Sequence, residues 1–225
     1  MAGLTAKEME YEAKVVYEAL ASADAPGYTS RQWSIILTQA QEKVVSEIIS
    51  DGWDSTETNR RIVAKLISTR TKNSSAIFQH DELFENTYRV TLPTDYMHIV
   101  SDTANDKVRV KPVAYDYVLV NLKNPFEKPT SDLFWRVADG TRALIITDGT
   151  ELSEYRITYI KRPEPIITRE LTETTTIEGY TQANDCKLDP IVHRRIVDRA
   201  GRLADAYVNN QVGYQLSQIE EQSSK

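Results

Sequence analysis

Residues 92–102 read LPTDYMHIVSD, and the fold turns on how this run is parsed. Pro93 sets its own φ and offers no amide to a ladder, while Thr94 and Asp95 carry short oxygens that bond nearby backbone in turns. One strand therefore ends at Leu92 and another starts with Tyr96 and Met97, its face redirected. Upstream, the β-branched and aromatic texture predicts a strand near residues 87–91; downstream it predicts strands near 97–102 and 107–112. Lys107, Arg109 and Lys111 alternate with Val108 and Val110, the pattern of a half-buried strand with a wet basic face.

Further along, AYDYVLVNL (114–122) reads as one helical interlude, and NPFEKP (124–129) as a loop that proline keeps out of a sheet. DLFWRVADG, TRALIITDG and SEYRITYIKR then read as three strands of an antiparallel meander. Asp139-Gly140 and Asp148-Gly149 mark its tight turns, because those pairs favour positive φ.

Helices flank this region. Thr5 and Glu8 have capping-box spacing, and Met9, Ala13, Val16, Tyr17 and Leu20 recur on one face, predicting a helix over 5–23 stopped by Ala25-Pro26-Gly27. Thr29 and Gln32 repeat the box before a stripe of Trp33, Ile36, Leu37, Ala40, Val44 and Ile48 that runs to Gly52. Ile62, Val63, Leu66 and Ile67 predict a shorter third helix. At the far end Asp189 is a good N-cap and Pro190 suits the first helical position, with Ile191, Val192, Ile196, Ala200, Leu203 and Tyr207 on one face. Beyond residue 212 the pattern becomes polar and reads as a frayed continuation or tail. The fold class is α+β: N-terminal helices over 1–75, a small antiparallel, barrel-like β domain over 76–180 and a long C-terminal helix with its tail over 181–225.

Composition bounds the function. The 225 residues carry a formal charge of −6, one cysteine and three histidines, with 27% charged and 40% apolar residues. No apolar run reaches the length of a membrane span, and MAGLTAKEMEYEAK lacks the apolar core of a signal peptide. A lone Cys186 cannot close an intrachain disulfide, which fits synthesis in a reducing cytoplasm. The acidic balance disfavours a dedicated nucleic-acid binder unless basic residues segregate on one face.

Arg195, Arg199 and Arg202 do segregate, recurring at intervals of four and three with Arg194 beside them. They suit contact with an acidic partner or with DNA phosphates, or pairing with Asp198, Asp205 or a neighbouring copy. No phosphate loop, nucleophile elbow or metal-ligand spacing is present, so the expectation is no enzyme, no metal and no cofactor. His80, His98 and His193 read as ordinary, partly exposed residues. Asp102 and Asp106 read as turn chemistry rather than an acid–base pair. Cys186, just before a helix start, is the one thiol that a helix N-terminus could activate. The 12 tyrosines suit surfaces half buried between subunits.

ILTQAQEKVVSEI, LPTDYMHIVSD, VRVKPVAYDYVLVNLKNPFEKP, FWRV, YRITYIKRPEPI and LDPIVHRRIVDRAGRLADAYV together, in this order, resemble the head-to-tail connector (adaptor, or ring) proteins of tailed bacteriophages over about residues 30–210. In that family a Leu-Pro-x-Asp-Tyr step leads into the sheet domain and a Tyr-Ile-Lys/Arg-Arg-Pro-x-Pro strand ends it. The resemblance implies a structural virion protein at the head–tail joint: a dodecameric homo-oligomeric ring beneath the portal that extends the DNA channel without gripping DNA and receives downstream neck and tail proteins. It also implies a portal-docking C-terminal segment, here 213–225 with Tyr214, Leu216 and Ile219 as apolar anchors, and Arg195, Arg199 and Arg202 as inter-subunit or partner contacts. The alternatives are another neck or tail-completion protein, or a nucleic-acid-binding module that uses the basic face of the last helix.

Overall fold

The computed structural model describes residues 3–20, 27–73, 79–80, 84 and 86–223, with side chains described for these except 79, 80, 173 and 210–223. The chain forms two compact units, one of residues 1–66 and 163–225, the other of 67–162. The chain passes from one unit to the other after residue 66 and returns after residue 162. Residues 67–75 and 163–180 look compositionally neutral, so their allegiance is set by what they pack on.

The first unit is helical. Helix α1 (Ala6–Leu20) starts where the capping box places it, with Glu8 N bonded to Thr5 Oγ1 and Thr5 N to Glu8 Oε2. Helix α2 (Ser30–Ser50) has a complete box from Thr29 and Gln32 and ends before Gly52, whose φ of 88° a Cβ would resist. Helix α3 (Glu57–Ala64) is capped by Thr56 and stops short of Ile67, which is exposed and opens a strand instead. Asp189 Oδ1 accepts the Ile191 amide at 3.1 Å, Pro190–Val192 form one tight 3-10 turn, and α5 runs His193–Ser223. Residues 21–23 of the expected first helix, and Ala25-Pro26, lie outside the described residues.

Met9, Ala13 and Tyr17 of α1, Trp33, Leu37, Val44 and Ile48 of α2, and Ile196, Ala200 and Ala204 of α5 are buried. Ile191, expected on that face, is exposed because its turn is 3-10 and not α, and Tyr207 is half out with its hydroxyl on Gln39. Gly201 sets the α1–α5 spacing: a Cβ there would lie 2.5 Å from Val16 Cγ1. Three buried polar residues of α2 serve the returning strand-like segment 164–168. Ser34 Oγ accepts the Thr168 amide and Thr38 Oγ1 the Ile166 amide, both at 3.1 Å, and Gln41 Nε2 donates to the Glu164 carbonyl at 2.8 Å. They satisfy backbone groups that no ladder reaches.

The second unit is one sheet of β1 (Ile67–Asn73), β2 (Gln79–His80), β3 (Thr87–Thr91), β4 (Tyr96–Ala104), β5 (Val108–Pro112), β6 (Leu133–Asp139), β7 (Arg142–Ile146) and β8 (Glu154–Lys161), with α4 (Tyr115–Asn121) between β5 and β6. Its order is β1-β8-β4-β5-β6-β7-β3-β2. The Leu92-to-Asp95 step joins β3 to β4, which have three strands between them. Five extended residues at about 3.6 Å each reach at most about 18 Å, and four strand spacings of about 4.8 Å on a flat sheet need about 19 Å. The step is not taut, since Tyr96 N turns back to the Pro93 carbonyl at 3.3 Å. The sheet therefore curls: Leu92 N extends the β3–β7 ladder to the Thr141 carbonyl, and the Tyr96 hydroxyl at the start of β4 reaches the Gly140 carbonyl at the β6–β7 turn. This curl is the barrel-like character, with β1 and β2 left as open edges.

Three strand expectations need correction. Strand β1 was missed; it pairs along its whole length with β8. The three-strand meander is a β6–β7 hairpin alone, because β8 lies between β1 and β4. The β5–β6 pair is parallel, with α4 as the crossover. That crossover covers the second face of β6 and β7: Val118 packs with Trp135, Val137, Leu144 and Ile146, while Phe134, Ala143 and Ile145 join Tyr155, Ile157 and Tyr159 on the other. Burial on both faces is why ALII reads as a continuous apolar run and why Phe134, Trp135 and Val137 break strict alternation, with Arg136 the one charge among them.

Candidate functional site

The basic face of α5 is built by 3.6-residue periodicity, but its charge is largely spent inside the chain. Arg195 Nη2 donates to Glu47 Oε2 at 2.8 Å and Arg199 Nη2 donates to Glu47 Oε1, so one carboxylate of α2 takes two arginines. The hydrogen bond from Arg195, with help from Arg199, holds Glu47 below the usual carboxylate range. Neither Asp198 nor Asp205 takes that part; Asp205 accepts from Asn209 at 3.1 Å. Arg202 is exposed and makes no ion pair within 4.0 Å among the described residues. Sequence reading named the arginines and missed Glu47, whose one signal was an acid in an otherwise apolar-striped helix.

The backbone of α5 continues through Ser223, and the side chains of Tyr214, Leu216 and Ile219 lie outside the described residues. The chemistry-bearing residues do not converge. Among the described residues there is no group of three or more His, Cys, Asp or Glu able to hold a metal ion. His193 is buried, not partly exposed: Nδ1 accepts the Leu4 amide at 3.0 Å and Nε2 lies 3.3 Å from the Leu188 carbonyl oxygen, tying the start of the chain to the start of α5. Burial pushes the Cys186 thiol up to about 11, and it donates to Gln41 Oε1, the opposite of an activated nucleophile.

Asp106 is a turn residue, with φ of 66° beside Asn105 at 47° in the β4–β5 hairpin. Asp102 is not. It is buried in β4, where Arg136 Nη1 donates to Oδ2 at 2.7 Å and the Tyr155 hydroxyl at 2.8 Å. Burial outweighs both partners and raises its pKa. Tyrosine serves the interior as much as the surface, since Tyr17, Tyr88, Tyr155 and Tyr159 are core residues.

Comparison with known proteins supplies what internal chemistry does not. Residues 4–215 match the model of the family described as "Phage tail ring protein 3/4". The chain belongs to this phage tail ring protein family. Two curated relatives come from Bacteroides phage crAss001. "Ring protein 4/5" is 27% identical over 224 aligned positions, covering 90% of this chain and 93% of the relative. "Ring protein 3" is 27% identical over 189, covering 76% and 82%. The ring protein is thus a structural component of a phage virion, and its relevant surfaces are those that meet other subunits. No described helix is long and apolar enough to cross a membrane.

Proposed function

We propose that this ring protein assembles, in a closed homo-oligomeric ring, at the head–tail joint beneath the portal, lengthens the conduit for the genome and presents a platform for downstream neck and tail proteins. The observation that carries the reading is the family match across residues 4–215, with ring proteins as relatives at nearly full length. A closed ring of identical chains needs a heterologous interface, two different surfaces on each copy. The −6 net charge suits a conduit, because each neutralised phosphate would add affinity and slow passage. Spending Arg195 and Arg199 on Glu47 favours this reading over a DNA-gripping face. In the same reading a dodecamer is made in the host cytoplasm, residues 213–225 dock on the portal through Tyr214, Leu216 and Ile219, and Arg202 is left for a neighbour.

Electron microscopy of the purified protein, alone and mixed with portal, tests this: rings or portal-dependent rings are expected, and a persistent monomer in both would overturn it. Deleting 213–225 is expected to leave the far-UV circular dichroism of the core intact and to abolish portal attachment. Unchanged attachment would remove the docking role from that segment.

A further inference from the structure

Large apolar side chains are exposed together at α4 and the turn that follows it. Phe126 is 94% exposed, Val120 75% and Leu119 60%. The turn is held in shape by Asn124, whose carbonyl accepts the Glu127 and Lys128 amides and whose side chain accepts the Phe126 amide. Phe126 is therefore displayed on an ordered loop, and Tyr117 draws Glu127 back by a hydroxyl bond. Lys123 follows Leu119 by four positions and is also exposed. Isolated surface apolar residues are ordinary; three this exposed between positions 119 and 126 point to an interaction surface.

Elsewhere on the same chain α1 and α5 border a shallow groove of about 640 Å³. Tyr11, 70% exposed, and Val15, 50% exposed, lie one turn apart on its α1 wall, with Val197 on the α5 wall. Its charged lining residues are Glu12, Asp198 and Arg194, a net acidic set. The buried stripe of α1 is Met9, Ala13 and Tyr17, so Tyr11 and Val15 form a second apolar face that its own chain leaves open.

We propose that in the ring the α4 patch of one copy seats in the α1–α5 groove of the next, with Phe126 as the inserted side chain and Lys123 meeting the acidic rim at Glu12 and Asp198. This rests on the ring reading and adds the contact that builds it. The occupant is a second copy for two reasons on the chain itself. A protruding apolar group and an apolar groove each occur on every copy of a ring protein, and head-to-tail closure covers both with none left over. Their partners differ, which is what a heterologous interface requires and a two-fold one does not.

The test uses the full chain. Phe126→Asp removes a side chain that touches little of its own molecule, so the melting temperature is expected to hold while rings are lost in microscopy and sedimentation. Val15→Cys and Phe126→Cys together are expected to give a ladder of covalent multimers from assembled rings under copper–phenanthroline oxidation, whereas a mixture of the two single variants gives dimers. Buried Cys186 stays out of the reaction. Rings of ordinary abundance from Phe126→Asp, a double variant with rings but no ladder, or dimers from Phe126→Cys alone would each overturn the contact and leave the ring reading standing. Wild-type protein without rings, alone or with portal, overturns the ring reading and this contact with it.

Discussion

Glu47 in the helical unit and Asp102 in the sheet unit are both carboxylates held by arginine, and their protonation is biased in opposite directions. Glu47 has a side chain 34% exposed, shared between Arg195 and Arg199, and its pKa lies below the ordinary value. Asp102 has a side chain 4% exposed, bonded to Arg136 and Tyr155, and its pKa lies above it. The partners are comparable; the water is not. Removing a carboxylate from solvent costs more than one arginine and one hydroxyl return, whereas at a wet surface two arginines win easily. The contrast separates an ion pair that trims a helix contact from one around which a strand core is arranged. Tyr155 makes the same point, its phenol driven far above its usual range first by burial and then by Asp102.

Truncation should expose this contrast most strongly. Asp102→Ala strands the Arg136 guanidinium, 12% exposed, without its carboxylate, and is expected to cost about 3–5 kcal/mol in denaturant unfolding. Glu47→Ala returns two part-exposed arginines to water and is expected to cost less than about 1 kcal/mol in the same measurement. Equal losses would erase the distinction. The smallest effect is in pH. Glu47 has a depressed folded pKa, so its contribution is present above the unfolded value and fades as pH falls through the folded one. Asp102 has a raised folded pKa, so its contribution is fullest below the unfolded value and fades as pH rises through the folded one. Stability curves of Glu47→Gln and Asp102→Asn against wild type should therefore diverge with opposite slopes on acidification, the Gln variant costing less at low pH and the Asn variant more. Parallel curves would mean that burial is not what separates the two sites.

Much of the fold was readable where a local rule acts alone. Thr5 with Glu8, Thr29 with Gln32, and Asp189 with Pro190 started helices as their chemistry requires, because a cap is satisfied within four residues. The Leu92-Pro93 break and the Asp139-Gly140 turn held for the same reason. Strand β1 escaped because Ser68, Thr69, Arg70 and Thr71 lie on a sheet edge with neither face buried, so no alternation was written into it. Likewise Asp148-Gly149 does turn the chain, with φ of 110° at the glycine, but a turn does not name the strand that follows as its partner. Within the candidate site the arginines were legible as a spacing. Glu47, 148 positions from Arg195, was not.

By itself the amino-acid sequence determined the α+β class, where helices begin, where strands break, and that the ordered fragments are those of a phage ring protein, since each rests on neighbours in the chain or on their order. Tertiary structure alone decided that β8 sits between β1 and β4, that Arg195 and Arg199 close on Glu47, and that Asp102 is a core residue. It also decided that Leu119, Val120 and Phe126 are left in solvent. Those outcomes depend on which distant groups compete for the same buried space, and an apolar residue carries no local mark that says whether its own chain or another will cover it.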